Sequence, residues 1–327
     1  MLLTADLIGF RRPLAEAICK RVEEKTGLKR PQILPIHANP VRLSTSGISR
    51  YASGMNANPS DTAARLELAI EAARQAGQIT LKYFRRDDLE VQRKADDSPV
   101  TVADRQAEEH LRRRITEVFP QDAILGEELP ERPGSSGFRW ILDPIDGTKS
   151  FIHGVPLYGT LVGIEHGGQP VLGVIRIPAL DECVYAATGQ GAWYVAGDGP
   201  PRPARVSDCP TLSQGLFLTS ETANFNHIGR RDVYHRLEDT ARLSRSWGDA
   251  YGYLMVATGR AELMVDPVAA VWDLAALLPV IEGAGGTFSD WQGRRTIHSG
   301  QCIASNGRIH HEVLALIEGK AGMTKHE

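Results

Sequence analysis

The chain has no apolar run approaching the ~20 residues that a membrane-spanning helix requires. Its four cysteines, Cys19, Cys183, Cys209 and Cys302, are scattered and include no CxxC pair. They argue against a disulfide framework and read as reduced thiols of a cytoplasmic protein. Neither sign of charge dominates: 37 Lys and Arg against 40 Asp and Glu leave a net charge of −3. No basic field therefore recommends nucleic acid and no polybasic patch recommends a membrane; the arginines at 11–12 and 112–114 are too short a run to change that. Residues 112–114 read instead as a solvated helix face. His153, His166, His298, His310 and His311 form no HxxxH or HxH array, which disfavours a zinc site, and the pair 310–311 reads as surface. The glycines at 167–168 and 283–286 make neither a P-loop nor a dinucleotide fingerprint, and no GxSxG is present. Signal and transit patterns are missing too, since Asp6, Glu16, Glu23 and Glu24 interrupt the N-terminal region. With 327 residues there is room for a large single domain or two closely packed halves.

What is present centres on residues 140–154, WILDPIDGTKSFIHG. Trp140-Ile141-Leu142 is an apolar, β-prone run, broken at once by Asp143-Pro144-Ile145-Asp146-Gly147-Thr148. Asp143 and Asp146 are thus expected just past the end of a buried strand. Pro144 lacks a backbone donor and Gly147 permits a sharp turn, so both carboxylates and a carbonyl can face one spot. Oxygen ligands of this kind suit a hard cation such as Mg²⁺. Taken alone, DxxD is an ordinary Asp-Pro and Asp-Gly turn. Two further stretches count against that plain alternative. Glu127 and Glu128 follow a short apolar run at 123–125, and Asp273 stands at the start of an apolar helical run at 274–281. Three acidic sites at the ends of separate elements suggest one assembled metal cluster.

The motif DPIDGT, the upstream GEE and the downstream WD followed by EGAGG resemble the inositol monophosphatase superfamily of Mg²⁺-dependent phosphatases. The resemblance runs in order from about residue 63 to 317. It implies an α+β fold, a five-layered αβαβα sandwich with the metals at the junction of its halves, and a homodimer. It implies that Glu127, Asp143 and the Ile145 carbonyl hold one Mg²⁺, that Asp143, Asp146 and Asp273 hold a second, and that a weaker third lies near Glu127 and Asp104. Glu127 with Thr148 would activate the attacking water, and the N–H groups of Gly147 and Thr148 would cradle the phosphate. For Asp104 a helix N-cap is a compatible second role.

Along the chain, residues 1–60 do not look like the rest. They read as a disordered extension, or as a start placed too early with Met55 as the true start; a small regulatory appendage lacks any supporting motif. The phosphatase domain is expected over 61–320, in halves of roughly 61–205 and 206–320. Helices are expected at 61–84, 108–118, 227–240, 248–258, 272–283 and 310–318. In the first, Leu66, Ala69, Ile70, Ala73, Ile79 and Leu81 would form the packed face. Strands are expected at 89–93, 157–165, 171–177, 183–187, 191–194, 216–219, 241–245 and 261–265. Alternation of this kind suits layered sheets between helices.

The segment 245–253, RSWGDAYGY, resembles the GGDCYxY signature of histidinol-phosphate phosphatases, with Trp247 in place of the first Gly and Ala250 in place of Cys. Inositol monophosphatases usually carry small residues there. Histidinol phosphate bears an ammonium and a titratable imidazole, whereas inositol phosphate offers neutral hydroxyls. Carboxylates at Asp249 and at Asp266, the position the resemblance assigns to the alcohol portion, would pair with that cation. A helix N-cap is the plain alternative for Asp249, and Tyr251 and Tyr253 read as core. The expected reaction is Mg²⁺-dependent hydrolysis of L-histidinol phosphate. A broader inositol- or sugar-phosphate phosphatase is the alternative, and a non-catalytic phosphate sensor a third reading.

Overall fold

The computed structural model describes residues 59–94 and 98–319. Of the extension expected at 1–60, residues 1–58, with Met55 among them, lie outside the described residues, and residues 59 and 60 already belong to the first described helix. Among the described residues the first two helices, α1 (Pro59–Leu81) and α2 (Val102–Val118), are joined by a small antiparallel pair, β1 (Val91–Arg93) and β2 (Pro99–Thr101). A seven-stranded sheet follows in sequential order: β3 (Ala123–Gly126), β4 (Phe138–Asp146), β5 (Gly159–His166), β6 (Gln169–Ile177), β7 (Glu182–Ala187), β8 (Ala192–Ala196) and β9 (Arg202–Ala204). Only β3 and β4 pair in parallel. The short helix α3 (Thr148–Ile152) follows β4.

The second half supplies β10 (Leu216–Leu218), α4 (Thr222–His227), α5 (Arg231–Thr240), β11 (Leu243–Arg245), α6 (Ala250–Ala257), β12 (Leu263–Asp266), α7 (Val271–Leu274), α8 (Leu277–Gly283), β13 (Thr287–Ser289), β14 (Cys302–Ser305) and α9 (His310–Glu318). Its sheet runs β11-β10-β12-β14-β13, with β10 parallel to both β11 and β12. Helices α1 and α2 cover one face of the large sheet. Helices α6 and α8 fill the space between the two sheets, and α4, α5 and α9 close the outer face of the small one. This is the five-layered αβαβα sandwich.

Burial explains the layering. Strands β4, β5 and β6 are buried almost without interruption, as strands covered on both faces must be. The face of α1 is small: Ala69, Ala72, Ala73 and Ala76 are buried, whereas Leu66, Ile70, Ile79 and Leu81 are only partly so. Small residues let the helix lie close to the sheet, so the expected face is rotated toward the alanines. Arg65 then ties α1 to the start of β3, donating from Nε and Nη2 to Asp122 at 2.8 Å each, while Trp140 Nε1 donates to the same carboxylate at 2.8 Å. Between the sheets, contact is closer still. A Cβ on Gly173 of β6 would lie 2.0 Å from the Ala276 carbonyl oxygen, so the chain between α7 and α8 rests directly on the large sheet.

Several elements differ from expectation. The helix expected at 227–240 begins only at Arg231, as α5, because Gly229, with φ of +68°, separates it from α4, which ends at His227. The helix expected at 272–283 is α7 and α8, divided at Ala275-Ala276. Arg112 is not solvated; it bonds Glu108 and the Leu129 and Pro130 carbonyls. His310 is not on the surface. It is 6% exposed, lies between the Ser289 and Ser305 hydroxyls, and is pushed down to about 4 by burial and by His311.

Candidate active site

Five strands end at one place. Glu127 follows β3, Asp143 and Asp146 lie in the last turn of β4, Ser220 follows β10, Asp249 follows β11, and Asp266 ends β12. The carboxyl ends of parallel strands are where open α/β sheets bind ligands, and here two sheets offer them to one pocket. The pocket has a volume of about 370 Å³, and Glu127, Asp146, Thr148, Asp249, Asp266 and Asp273 are among its walls.

Asp143 and Asp146 do not lie beyond the strand, as expected, but within it. Asp143 pairs with Leu161 and Asp146 with Gly159, so two residues of β4 oppose one of β5. Such a bulge kinks the strand and re-aims its side chains. Asp143 Oδ1 accepts the Ile145 N–H at 3.0 Å, and Thr148 Oγ1 donates to the Ile145 carbonyl at 3.1 Å, which fixes the turn. Gly147 adopts φ +88° to enter α3.

Asp273 arrives from the other half, at the third position of α7, where its Oδ2 accepts the Ala270 N–H at 2.7 Å. One carboxylate oxygen each of Asp143, Asp146 and Asp273 lie within 4.8 Å of one another. Burial raises all three carboxyls, Asp273 to about 7 and the other two well above the usual range, and the neighbouring carboxylates push Asp143 and Asp146 further. Asp143 is buried and Asp146 and Asp273 partly so; a cluster of such carboxylates that raise one another's pKa is a site short of positive charge. The donor set fits a hard cation: all oxygen, closely spaced and negative.

Glu127 stands beside this trio rather than within it. Its Oε1 accepts Lys94 Nζ at 2.6 Å, and the same ammonium reaches Glu128 Oε1 at 2.7 Å. Burial raises the Glu127 carboxyl, with Lys94 opposing the shift. Asp104 lies deeper, outside the pocket wall. It is not the N-cap of α2 but the third residue of a capping box: Thr101 is the cap, and Asp104 Oδ2 accepts Thr101 N at 2.8 Å. Its Oδ1 is buried and has no hydrogen-bond partner among the described residues, and burial pushes the carboxyl up to about 6.

The wall beside Gly147 is also acidic. Asp249 heads α6 without capping it through its side chain; its φ of +52° and ψ of −155° belong to a region that few residues but glycine occupy. Burial raises this carboxyl to about 6, with Asp266 next in effect. Asp266 accepts four hydrogen bonds: Ser220 N at 2.9 Å, Ser220 Oγ at 2.9 Å, Thr219 Oγ1 at 3.3 Å and Tyr253 OH at 2.6 Å. Sequence reasoning missed Lys94, Ser220 and the tyrosine's bond to Asp266. Tyr253 is buried as expected of a core residue, yet it also faces the pocket. None of the three had a spacing signal, because each acts across elements distant in sequence.

A model of the inositol monophosphatase family matches residues 61–320. The chain belongs to that family. It is 44% identical over 253 residues to the histidinol-phosphatase of Chlorobaculum parvum, covering 77% of this chain and 96% of that one. It is 37% identical over 256 residues to the histidinol-phosphatase of Streptomyces coelicolor, with 77% and 96% covered. Among solved structures, the extragenic suppressor protein suhB of Bartonella henselae superposes with a TM-score of 0.73 at 28% identity, over 80% of this chain and all of that one. As a member of the inositol monophosphatase family the chain is a phosphatase acting on small phosphate monoesters, and the family is metal-dependent. Among the described residues no helix is long and apolar enough to cross a membrane.

Proposed function

We propose that the chain is a Mg²⁺-dependent histidinol-phosphatase, releasing L-histidinol and phosphate. The observation that carries the choice of substrate is Asp249, a carboxylate held in an unfavourable backbone conformation on the pocket wall. Such strain persists where the surroundings impose it, and it aims negative charge at the place a substrate ammonium would occupy. Asp266 adds its charge behind Asp249, its oxygens already engaged by the chain. The relatives named above as histidinol-phosphatases support the same reading.

Bound Mg²⁺ would neutralise phosphoryl oxygens, acidify a water and stabilise the leaving oxygen. Glu127, Asp143 and the Ile145 carbonyl would hold one ion, and Asp143, Asp146 and Asp273 a second. A third, weaker site would use Glu127 and the unpartnered Oδ1 of Asp104. Glu127, oriented with Thr148, takes the proton of the attacking water. The N–H groups of Gly147 and Thr148 donate to the phosphate oxygens as α3 begins. The catalytic unit spans 61–320, its halves roughly 61–205 and 206–320. A cytoplasmic location is proposed on the scattered cysteines and a homodimer on the family resemblance, and sedimentation equilibrium giving twice the 35.7 kDa chain mass would support the dimer.

The test is Asp249→Ala measured on two substrates. A loss of roughly 10- to 100-fold in kcat/KM on histidinol phosphate, the worth of a charge-assisted hydrogen bond, with little change on inositol monophosphate, supports the assignment. Equal losses on both would count against it.

A further inference from the structure

Asp104, Glu108 and Arg112 recur at intervals of four along α2 and therefore share one face. The first closes the capping box with Thr101, and the other two do something different. Glu108 is fully buried, and both its oxygens are used: Oε1 accepts Arg112 Nε at 2.7 Å, and Oε2 accepts the backbone N–H of Glu128 at 2.7 Å. Arg112 continues the contact, donating to the Leu129 carbonyl at 2.8 Å and the Pro130 carbonyl at 2.9 Å. The end of β3 lies so close that a Cβ on Gly126 would be 2.1 Å from Glu108 Oε1. From the other side, Glu127 N donates to the Leu142 carbonyl of β4 at 3.2 Å. The backbone around Glu127 is thus held on both flanks, by β4 and by a carboxylate–guanidinium pair on α2.

We propose that Glu108, tied to Arg112, is a positioning residue. It sets the direction in which Glu127 projects from the end of β3, and so the affinity of the site for a divalent cation. This rests on the reading of Glu127 as a metal ligand. The chemistry is that of outer partners orienting ligands, whose loss typically weakens metal affinity by about 10- to 100-fold. Gln at 108 keeps the volume but turns one acceptor into a donor, setting an N–H against either Glu128 N–H or Arg112 Nε–H.

The experiment is calorimetric titration of Mg²⁺ into the full chain, wild type beside Glu108→Gln, with thermal midpoints of the metal-free proteins. Asp290→Asn serves as a control, because Asp290 is equally buried and paired with Arg294 but lies after β13, away from the pocket. Glu108→Gln weakening Mg²⁺ binding at least about tenfold, while Asp290→Asn lowers the midpoint and leaves binding within twofold, supports the proposal. If Glu108→Gln lowers the midpoint and binds Mg²⁺ as wild type does, Glu108 is structural only and the proposal is overturned. Turnover of histidinol phosphate by wild type is read separately, so failure of the functional reading leaves the binding comparison intact.

Discussion

Gly147 and Asp249 adjoin on the pocket wall. A Cβ built on Gly147 would lie 2.8 Å from Asp249 Oδ2, and Gly147 itself holds φ at +88°. The turn expected to carry metal and phosphate therefore abuts the residue proposed to choose the substrate. Gly147→Ala should cost about 1 kcal/mol or more of stability through the positive φ alone. It should also displace the Asp249 carboxylate, and a misplacement of that kind can cost about 10²-fold in rate. The check is kcat/KM on histidinol phosphate beside a thermal midpoint; wild-type kinetics in the variant would contradict the contact.

The metal-free protein should become more stable on mild acidification. Burial raises Asp104 and Asp249 to about 6 and Asp273 to about 7, above the ordinary carboxyl value near 4. Between those limits these three carboxyls bind more protons in the folded chain than in the unfolded one and together outweigh His310, whose lowered value acts in the opposite sense, so stability falls as pH rises through the window. In EDTA the thermal midpoint should therefore be higher at pH 5.5 than at pH 7.5. The opposite order would mean that the cluster is not strained by its own charge.

Divalent cation should reverse that dependence. A ligand that binds only the folded state, at a hundredfold excess over its Kd, adds about 2.7 kcal/mol, which in a domain of this size raises the midpoint by roughly 5–10 °C. Asp143→Asn should remove most of that shift and nearly all activity, yet leave the EDTA-treated protein no less stable, since it takes one like charge out of the cluster. Differential scanning fluorimetry with and without Mg²⁺ reads both effects.

These expectations show which features a linear sequence can carry. The DPIDGT turn and Asp273 were legible because local breaker chemistry and helix-start position mark them within a few residues. The bulge at Asp143–Asp146 was not, because it is defined by pairing with β5. The division of the 272–283 helix at Ala275-Ala276 was equally hidden, since it reflects the close approach of that segment to Gly173. Lys94 carries no spacing signal, and only the fold sets it against Glu127 and Glu128. Tyr253 read as core by its apolar neighbours, and only the fold puts its hydroxyl on Asp266. His310 was misread because a polar pair at a helix start resembles surface, and the serines that satisfy it come from β14 and the end of β13.

The most direct measurement is phosphate release by the wild-type chain from histidinol phosphate and from inositol monophosphate, each with Mg²⁺ and with EDTA. A strong preference for histidinol phosphate, abolished by EDTA, is the expected result and would support both the metal chemistry and the acidic wall at Asp249. Equal or greater release from inositol monophosphate would contradict the assigned substrate, and release that persists in EDTA would contradict the metal site.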